Sequence, residues 1–505
     1  MFEGYALAFD FITSNPMAIV VTLTGLLIGI IFGALPGLSG SIGVAIFIPL
    51  TFTMHPTTGI VFLASLYVGS AYGGAITAIL FNIPGSPEAA CTALDGYPMA
   101  KQGKASKALG AVVGTSALSG VLSVAVLALV SPPLARAALA FGPGEYFALA
   151  FFGLSAIASI ESKSFYKALT AGLLGLLIAT VGYDPLSHSI RNTFGIRTLV
   201  AGFSFMPIII GVFAIAEVLS RSSQKNLGVV KFGEMKGISI ELPALREWFA
   251  MKITFVRSFI IGAIIGTLPG IGATTAAFVA YSEEVRWSKK PELYGTGVLN
   301  GVVAPETANQ SAAACAMIPL LALGLPGSAT TAVMIGGLMI HGIQPGPLMM
   351  VMQKQLVYTI FVTMFIASFS MLIVGMFLTR LFAYVLKVNY TILAPIIVVF
   401  CVVGVFAINN SMFELVLTFF VAVIGYFFKK YEYPIAPLII GVVLGKIAEE
   451  NLRRGLSVFN MDLVQMFVMK PITAVLMVLS FACLAYGLYN NFKKGKALRK
   501  AKAGG

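Results

Sequence analysis

The chain has 505 residues, of which 58% are hydrophobic and 10% charged, and its mean hydropathy is +0.93. Soluble domains carry about 25% charged residues, so this composition excludes an ordinary soluble protein and indicates a chain embedded in a lipid bilayer. The formal net charge is +13. Its lysines and arginines cluster between apolar runs and in the C-terminal tail, which predicts membrane orientation and no nucleic-acid partner.

Apolar runs recur from residue 17 to residue 488. They are too long and too uniform for the alternating pattern of a transmembrane barrel, so helices are expected. We predict an all-α polytopic membrane protein with roughly 10–14 membrane segments. Several runs are short or rich in glycine, which favours half-helices and re-entrant hairpins at those places.

A ten-residue string occurs twice, as IGIIFGALPG at 28–37 and as IGAIIGTLPG at 261–270. A second echo follows each copy, IPGS at 83–86 and LPGS at 325–328. Each half of the chain therefore carries two Pro-Gly breaks inside apolar sequence. Corresponding interrupted segments in two halves are a sequence indicator of a transporter's substrate site.

The polar stretch between the halves defines the domain boundaries. We predict a first membrane repeat at residues 1–220, a cytoplasmic linker at 221–250, a second repeat at 251–490 and a basic cytoplasmic tail at 491–505. The N-terminal residues include Glu3 and Asp10 but no base, which favours an outside start and hence inverted repeats. The Pro-Gly breaks are 48 residues apart in the first half and 57 in the second, so we expect an insertion at 283–292.

Small and hydroxyl-bearing residues follow each break, and Ser and Thr are good N-caps for a new helix. The free N–H groups and the dipole of such a helix start attract anions, and the carbonyls freed by an unwound turn can coordinate Na⁺. The predicted substrate-binding residues are Gly37, Ser39, Ser41, Asn82, Pro84, Gly85, Ser86, Gly270, Thr274, Thr275, Asn309, Pro326, Gly327, Ser328 and Thr330. The predicted ion-binding residues are Gly37, Thr77, Gly270, Glu306 and Ser311.

Simpler interpretations compete at several of these positions. Gly25, Gly29 and Gly33 are more typical of close helix packing than of ligand contact. Glu306 is either an ion ligand or one half of a structural pair with a base of the linker. Asp95 is expected to be an ordinary carboxylate at a hairpin end, and the four cysteines, which lack metal-ligand spacing, to be small buried hydrophobes.

These motifs resemble a known family, the large membrane subunit of the tripartite tricarboxylate transporters (TctA family). The resemblance rests on GALPGLSGSIGVAIFIPLTF (33–52), YGGAITAILFNIPGSPEAACTALDGYPMAKQGKASKALG (72–110), TFGI (193–196), GTLPGIGATTAAFVAY (266–281), APETANQSAAACAMIPLLALGLPGSATTAVMIGGLMIHGIQPGP (304–347), AINNSMF (407–413) and YPIAPLIIGVVLGKIAEENLRR (433–454). It covers nearly the whole chain. Gln310 departs from the family's usual PE-x-A-N-N pattern at its last position.

The resemblance implies a multi-pass symporter of the bacterial inner membrane, with a cytoplasmic C-terminus, that takes up di- and tricarboxylates such as citrate. It also implies a small membrane subunit and a periplasmic solute-binding protein as partners, no cofactor, and a homodimer with a moving domain. The expected coupling ion is Na⁺, with H⁺ as the alternative.

Two other functions compete with transport. Gly37-Leu38-Ser39-Gly40 matches the pattern around an intramembrane serine protease nucleophile, with His55, His188 and His341 as candidate bases. The second copy argues against a protease, because Gly272 stands where Ser39 would be expected. A passive channel or scaffold subunit is the other alternative, since broken helices occur there as well.

Overall fold

The computed structural model describes residues 2–35, 38–160, 164–184, 186–223, 240–385, 390–468 and 470–503. The chain is 81% helical, which confirms the prediction of an all-α polytopic membrane protein. Seven helices among the described residues are long and apolar enough to cross a membrane, and four shorter apolar helices accompany them. These helices fall within the predicted range of segments.

The helices of the first half alternate long spans with short ones. They are α1 (Phe2–Ser14), α2 (Met17–Ala34), α3 (Gly40–Thr51), α4 (Pro56–Phe81), α5 (Ala89–Lys101), α6 (Ala105–Ala138), α7 (Pro143–Ile160), α8 (Phe165–Ala179), α9 (Phe205–Ile209) and α10 (Ala216–Ser222). Two-residue strands β1 (Gly182–Tyr183) and β2 (Ile190–Arg191) pair antiparallel after α8, a 3₁₀ turn covers Arg197–Ala201, and a π-helical segment (Ile210–Ile215) joins α9 to α10.

The second half contains more helices than the first among the described residues. Its helices are α11 (Leu245–Ala250), α12 (Lys252–Thr267), α13 (Gly272–Trp287), α14 (Leu299–Cys315), α15 (Met317–Leu323), α16 (Ala329–Ile340), α17 (Pro347–Met352), α18 (Lys354–Val385), α19 (Tyr390–Asn409), α20 (Met412–Lys430), α21 (Ile435–Val458), α22 (Leu463–Phe467) and α23 (Pro471–Ala503), with a 3₁₀ turn at Pro291–Leu293. Helices α14 and α15 stand where α4 is continuous.

The packing of the helices repeats between the halves. Helix α2 packs against α4 as α12 packs against α14, and α3 contacts α16 as α13 contacts α5. The longest helices cross over, because α6 lies against α14 while its counterpart α18 lies against α4. Each half thus completes the packing of the other. The division into two repeats and their inverted orientation in the membrane stay predictions.

Glycines allow the first helix of each repeat to approach the next long helix closely. A Cβ at Gly29 would overlap the backbone of Leu66, and one at Gly33 would overlap the backbone of Ser70. The counterparts Gly262 and Gly266 lie in the same way against α14. The packing interpretation of Gly29 and Gly33 is therefore confirmed.

The two helix ends before the second breaks share one geometry. Helix α4 ends at Asn82 (φ 56°) and α15 ends at Gly324 (φ 74°), both in the left-handed region. The N–H of the following residue, Ile83 or Leu325, donates to a carbonyl oxygen six residues earlier, at 3.4 and 3.1 Å. Both helices thus end in the same left-handed turn closed by the same pair of backbone groups, so the sequence echo corresponds to a repeated backbone turn.

The polar stretch before the second LPG is helical. Helix α14 begins at Leu299 and carries Glu306 in its middle. A turn at Ala316 separates α14 from α15. Pro319 has no N–H to donate to the carbonyl four residues earlier, which accounts for a break in the helix at this point.

A charged cluster closes the loop after α8. The Arg453 guanidinium and the Ser187 hydroxyl hold the pKa of the Asp184 carboxyl well below its ordinary value of 3.8. Arg191 binds Glu449 through both terminal nitrogens, at 2.6 and 2.7 Å, and lies 3.8 Å from Asp184. The cluster ties the β1–β2 hairpin to α21.

We expect Asp184→Asn to lower the melting temperature of the purified protein at neutral pH. A carboxyl group with a lowered pKa stabilises the fold above its ordinary pKa, and this contribution is lost as the pH falls. The difference between variant and wild type should therefore be constant down to about pH 4 and narrow below it. Glu450→Gln is the control, because Glu450 forms only a surface pair with Arg454 at 3.6 Å. A pH-independent difference for Asp184→Asn would contradict this account.

Candidate substrate cavity

A cavity of about 650 Å³ lies where the broken helices of both repeats meet. Small-molecule sites range from about 300 to 1,000 Å³. The cavity is lined by Ser39, Gly40, Ser41, Tyr67, Ser70, Ala71, Pro87, Glu88, Gly272, Ala273, Thr274, Thr275, Phe278, Val279, Ser282, Glu283, Ala313, Ser328, Ala329 and Thr330. Most of these residues directly follow one of the four breaks. No lysine or arginine is present among the lining residues that the structure describes.

Four helix starts surround the cavity. Helices α3, α5, α13 and α16 each begin after a break, at Gly40, Ala89, Gly272 and Ala329. The first N–H groups of a helix have no intrahelical partner, and the dipole places partial positive charge there. Four such ends around one space can bind several anionic oxygens without a basic side chain.

The start of α16 is held by a reciprocal cap. The Thr331 N–H donates to Ser328 Oγ (3.2 Å), and the Ser328 N–H donates to Thr331 Oγ1 (2.8 Å). Ser328 Oγ also lies 3.1 Å from the hydroxyl oxygen of Tyr67 on α4. This contact fixes α16 of the second repeat against α4 of the first, next to the cavity.

The start of α3 is held differently. The Ser39 and Ser41 hydroxyl oxygens lie 2.8 Å apart and form a hydrogen bond. Between them, Gly40 packs directly on the Ser70 hydroxyl, with Thr330 Oγ1 close by. Four hydroxyl-bearing residues, at the start of α3 and from α4 and α16, thus lie together at the first turn of α3.

Six of the predicted substrate-binding residues line this cavity, namely Ser39, Ser41, Thr274, Thr275, Ser328 and Thr330. The others lie elsewhere. Gly85 and Gly327 pack against the backbone of Gly33 and Ala316, and the Ser86 hydroxyl lies against Gly74. Asn82, Pro84, Gly270 and Pro326 shape the breaks without lining the cavity. Gly37, together with Pro36, lies outside the described residues.

Asn309 lies in the contact between α14 and α4 and does not line the cavity. Its Nδ2 donates to the Ala71 carbonyl oxygen at 2.9 Å, and Gln310 Nε2 lies 3.5 Å from the Val68 carbonyl oxygen. Both side chains are buried. They join the two long helices immediately behind the cavity wall.

The predicted ion ligands that the structure describes make separate contacts, and Gly37 lies outside the described residues. Glu306 is fully buried and accepts hydrogen bonds from Thr92 (3.1 Å) and Ser116 (3.2 Å). Ser311 instead bonds Ser123 and the Phe259 carbonyl. The Thr77 hydroxyl donates within its own helix, and Gly270 lies in the break before α13 with φ 78°. Within the described part of the chain, Glu306 has no basic partner, so a pair with a linker base is not observed.

The structure corrects the interpretation of Asp95 as a hairpin-end carboxylate. Asp95 is fully buried in α5, and its Oδ1 accepts hydrogen bonds at 2.9 Å from the backbone N–H groups of Gly295, Gly297 and Val298. Tyr281 donates to Oδ2, also at 2.9 Å. Asp95 therefore holds the segment that leads into α14, and Lys101 instead lies over the Tyr97 ring.

The contacts of the histidines bear on the protease alternative. His341 Nε2 lies 3.3 Å from Thr51 Oγ1, His188 bonds Tyr183, and His55 lies beside Phe11. The hydroxyl partner of Ser39 is Ser41. Among the described residues, no serine–histidine pair forms at Ser39.

Sequence analysis missed two features of the cavity. Tyr67 and Ser70 come from the middle of α4, in a sequence that gives no sign of a site. Glu88 was included in a polar segment but not among the candidate ligands. Its position one residue before α5 was the available signal, because a carboxylate at a helix start is stabilised by the dipole.

Comparison with known proteins agrees with this architecture. The chain matches the model of the Tripartite tricarboxylate transporter TctA family over residues 19–440. The chain belongs to the TctA family. It is thus a multi-pass membrane component of a tripartite tricarboxylate transporter, a class that includes a small membrane subunit and a binding protein.

Two proteins of Agrobacterium vitis are similar in sequence. An uncharacterized 52.8 kDa protein in the TAR-I ttuC' 3' region is 38% identical over 479 residues, which are 94% of each chain. An uncharacterized protein in the TAR-II ttuC' 3' region is 36% identical over 227 residues, which are 45% of this chain and 93% of the relative. No solved structure matches the chain.

Proposed function

We propose that the protein carries di- and tricarboxylates such as citrate into the cell as the large subunit of a binding-protein-dependent, Na⁺-coupled secondary transporter of the bacterial inner membrane. The convergence of four helix starts on one cavity carries the proposal. A di- or tricarboxylate has several anionic groups at fixed spacing, and each helix start can receive one. The hydroxyls of Ser39, Thr274 and Ser328 supply further donors for the carboxylate oxygens.

The lining explains how a polyanion can bind without arginine or lysine. A basic side chain would bind the substrate tightly in every state of the protein, whereas partial charges at helix starts act over a short range. Small rearrangements of the breaks then change the affinity. This suits a carrier, which must release its substrate on the other side of the membrane.

The deciding experiment is uptake of labelled citrate into proteoliposomes that contain the protein and the small membrane subunit, with the binding protein outside. We expect accumulation against a gradient when Na⁺ is imposed outside. If uptake responds to an imposed proton gradient instead, the coupling ion is H⁺ and not Na⁺. Uptake that ignores both gradients would show a passive channel and overturn the symporter proposal.

We expect Ser328→Ala to lower uptake by about tenfold. The substitution removes the helix cap, worth about 1 kcal/mol, and also the contact with Tyr67 at the cavity wall. Ser411→Ala is a matched control, because Ser411 caps α20 through its side chain and does not line the cavity. Uptake should be measured at equal protein per liposome. Equal losses of uptake in Ser328→Ala and Ser411→Ala would show that Ser328 acts only through the stability of the fold.

A further inference from the structure

One carboxylate breaks the symmetry of the cavity. The break sequences align as Ser86-Pro87-Glu88 and Ser328-Ala329-Thr330, so Glu88 occupies the position that Thr330 occupies in the other repeat. Both residues line the cavity. At this matched position the two halves therefore offer an anion the same helix start, but only the first half places a carboxylate there.

The surroundings of Glu88 contain hydroxyl groups. Thr274 lines the same cavity as Glu88, and Ser86 lies two residues before Glu88 in the chain. The positive end of α5 directly follows it, since α5 begins at Ala89. Among the residues that the structure describes, no lysine or arginine pairs with Glu88. An ionised Glu88 would repel each carboxylate of a substrate in the same cavity.

A second carboxylate, Glu306 on α14, is connected to α5 one helical turn from Glu88. Thr92 follows Glu88 by four residues, so the two share a face of α5. The Thr92 hydroxyl donates to Glu306 Oε2 on α14 at 3.1 Å, so this threonine connects the turn that carries Glu88 to the Glu306 carboxylate. Two carboxylates without a base resist ionising together unless a cation joins them.

We propose that Glu88 holds the coupling cation inside the substrate cavity, so that a carboxylate substrate binds there only together with the cation that neutralises Glu88. This inference rests on the proposed transport function and identifies the residue that couples the two fluxes. A cation between Glu88 and the substrate turns their repulsion into attraction, and the Thr274 hydroxyl and freed carbonyls of the breaks supply further oxygen ligands of the kind that Na⁺ and a proton both accept. Binding of either species then favours binding of the other.

The titratable groups around Glu88 must be considered when the cation is identified. They are Glu306 on α14, Glu283 on α13, Tyr67 on α4, and Cys91 and Asp95 on α5. Glu283 already accepts hydrogen bonds from Arg286 and Trp287, at 3.3 and 2.9 Å, and Asp95 from three backbone N–H groups and Tyr281. Among the described residues, Glu88 and Glu306 are therefore the carboxylates of this group whose negative charge is not balanced by a base or by several backbone N–H groups.

The test compares Glu88→Gln with wild type in the proteoliposome assay. One arm varies external Na⁺ at constant pH, and the other varies pH at constant Na⁺, so that the two cations are distinguished. We expect a wild-type dependence of about tenfold on one of them, reduced to less than about twofold in Glu88→Gln, because the amide is permanently neutral. Exchange of labelled for unlabelled substrate, which needs no gradient, should continue in the variant.

Two further variants separate coupling from folding. Glu88→Asp keeps the charge and should keep the cation dependence with altered affinity. Glu292→Gln is the control and should keep the cation dependence, because Glu292 is exposed and does not line the cavity. The inference is overturned if Glu88→Gln retains the cation dependence. It is also overturned if Glu306→Gln loses the cation dependence while Glu88→Gln does not. A folded Glu88→Gln protein that fails in exchange also overturns it. Wild-type protein without uptake would contradict the transport function itself.

Discussion

Gly85→Ala should abolish most transport although alanine adds only one methyl group. A Cβ at this position would overlap the carbonyl oxygen of Gly33, and the Gly74 Cα is also close. Neither atom belongs to a flexible side chain, so the break loop itself would have to move. Overpacking of this kind costs about 1–3 kcal/mol. The displaced loop carries Ser86 and Glu88, so we expect uptake to fall by about tenfold or more.

The matched control is Gly172→Ala in α8. The contacts that a Cβ would meet there, the Pro437 carbonyl oxygen at 3.8 Å and Pro437 Cβ at 3.9 Å, are ordinary van der Waals distances. Alanine is also the better helix former, by about 1 kcal/mol. Gly172→Ala should therefore melt at or above the wild-type temperature and transport normally. Wild-type uptake by Gly85→Ala would show that the contact between the two breaks does not position the cavity.

Asp95→Ala is expected to cause the largest loss of stability among the single substitutions considered. The Asp95 carboxylate serves three backbone N–H groups and the Tyr281 hydroxyl while fully buried. A donor left without an acceptor in a buried place costs about 1–3 kcal/mol, so the total destabilisation should reach about 3 kcal/mol or more. Thermal melting of the purified protein in detergent measures it.

Two comparisons test the reason for that loss. Asp95→Asn retains an acceptor oxygen but loses the charge, so its melting temperature should lie between those of wild type and Asp95→Ala. Asp10→Ala removes an exposed carboxylate in α1 and should have little effect. If Asp95→Asn were as unstable as Asp95→Ala, the negative charge and not the number of acceptors would determine stability.

Local signals in the sequence predict the parts of the site that each repeat builds by itself. Ser39, Thr274 and Ser328 were identified because a Pro-Gly break followed by a hydroxyl residue marks a helix start wherever it occurs. The same local reasoning assigned Gly85 to ligand binding. In the structure, the backbone of Gly33, 52 residues earlier in the chain, takes up the space beside Gly85.

The other parts of the site depend on long-range contacts, which cannot be derived from a single sequence. The partners of Asp95 lie about two hundred residues further along the chain, so its burial was not predictable from the neighbouring Lys101. Tyr67 reaches the cavity because α4 crosses α16 of the other repeat. The polar residues around Glu306 interrupt the apolar pattern of the sequence, yet they form the interior of α14.

The close approach of α2 and α4 limits how the protein can move. Glycines on each helix lie against the backbone of the other, with Gly29 and Gly33 on α2 facing Gly69 and Gly73 on α4 along the same seam. Displacement by one residue along the axis, about 1.5 Å, would place a side chain where only a hydrogen atom fits. We therefore expect the pair to behave as one rigid unit. If the proposed transport involves sliding of helices, that sliding is expected at contacts between longer side chains, which can change rotamer.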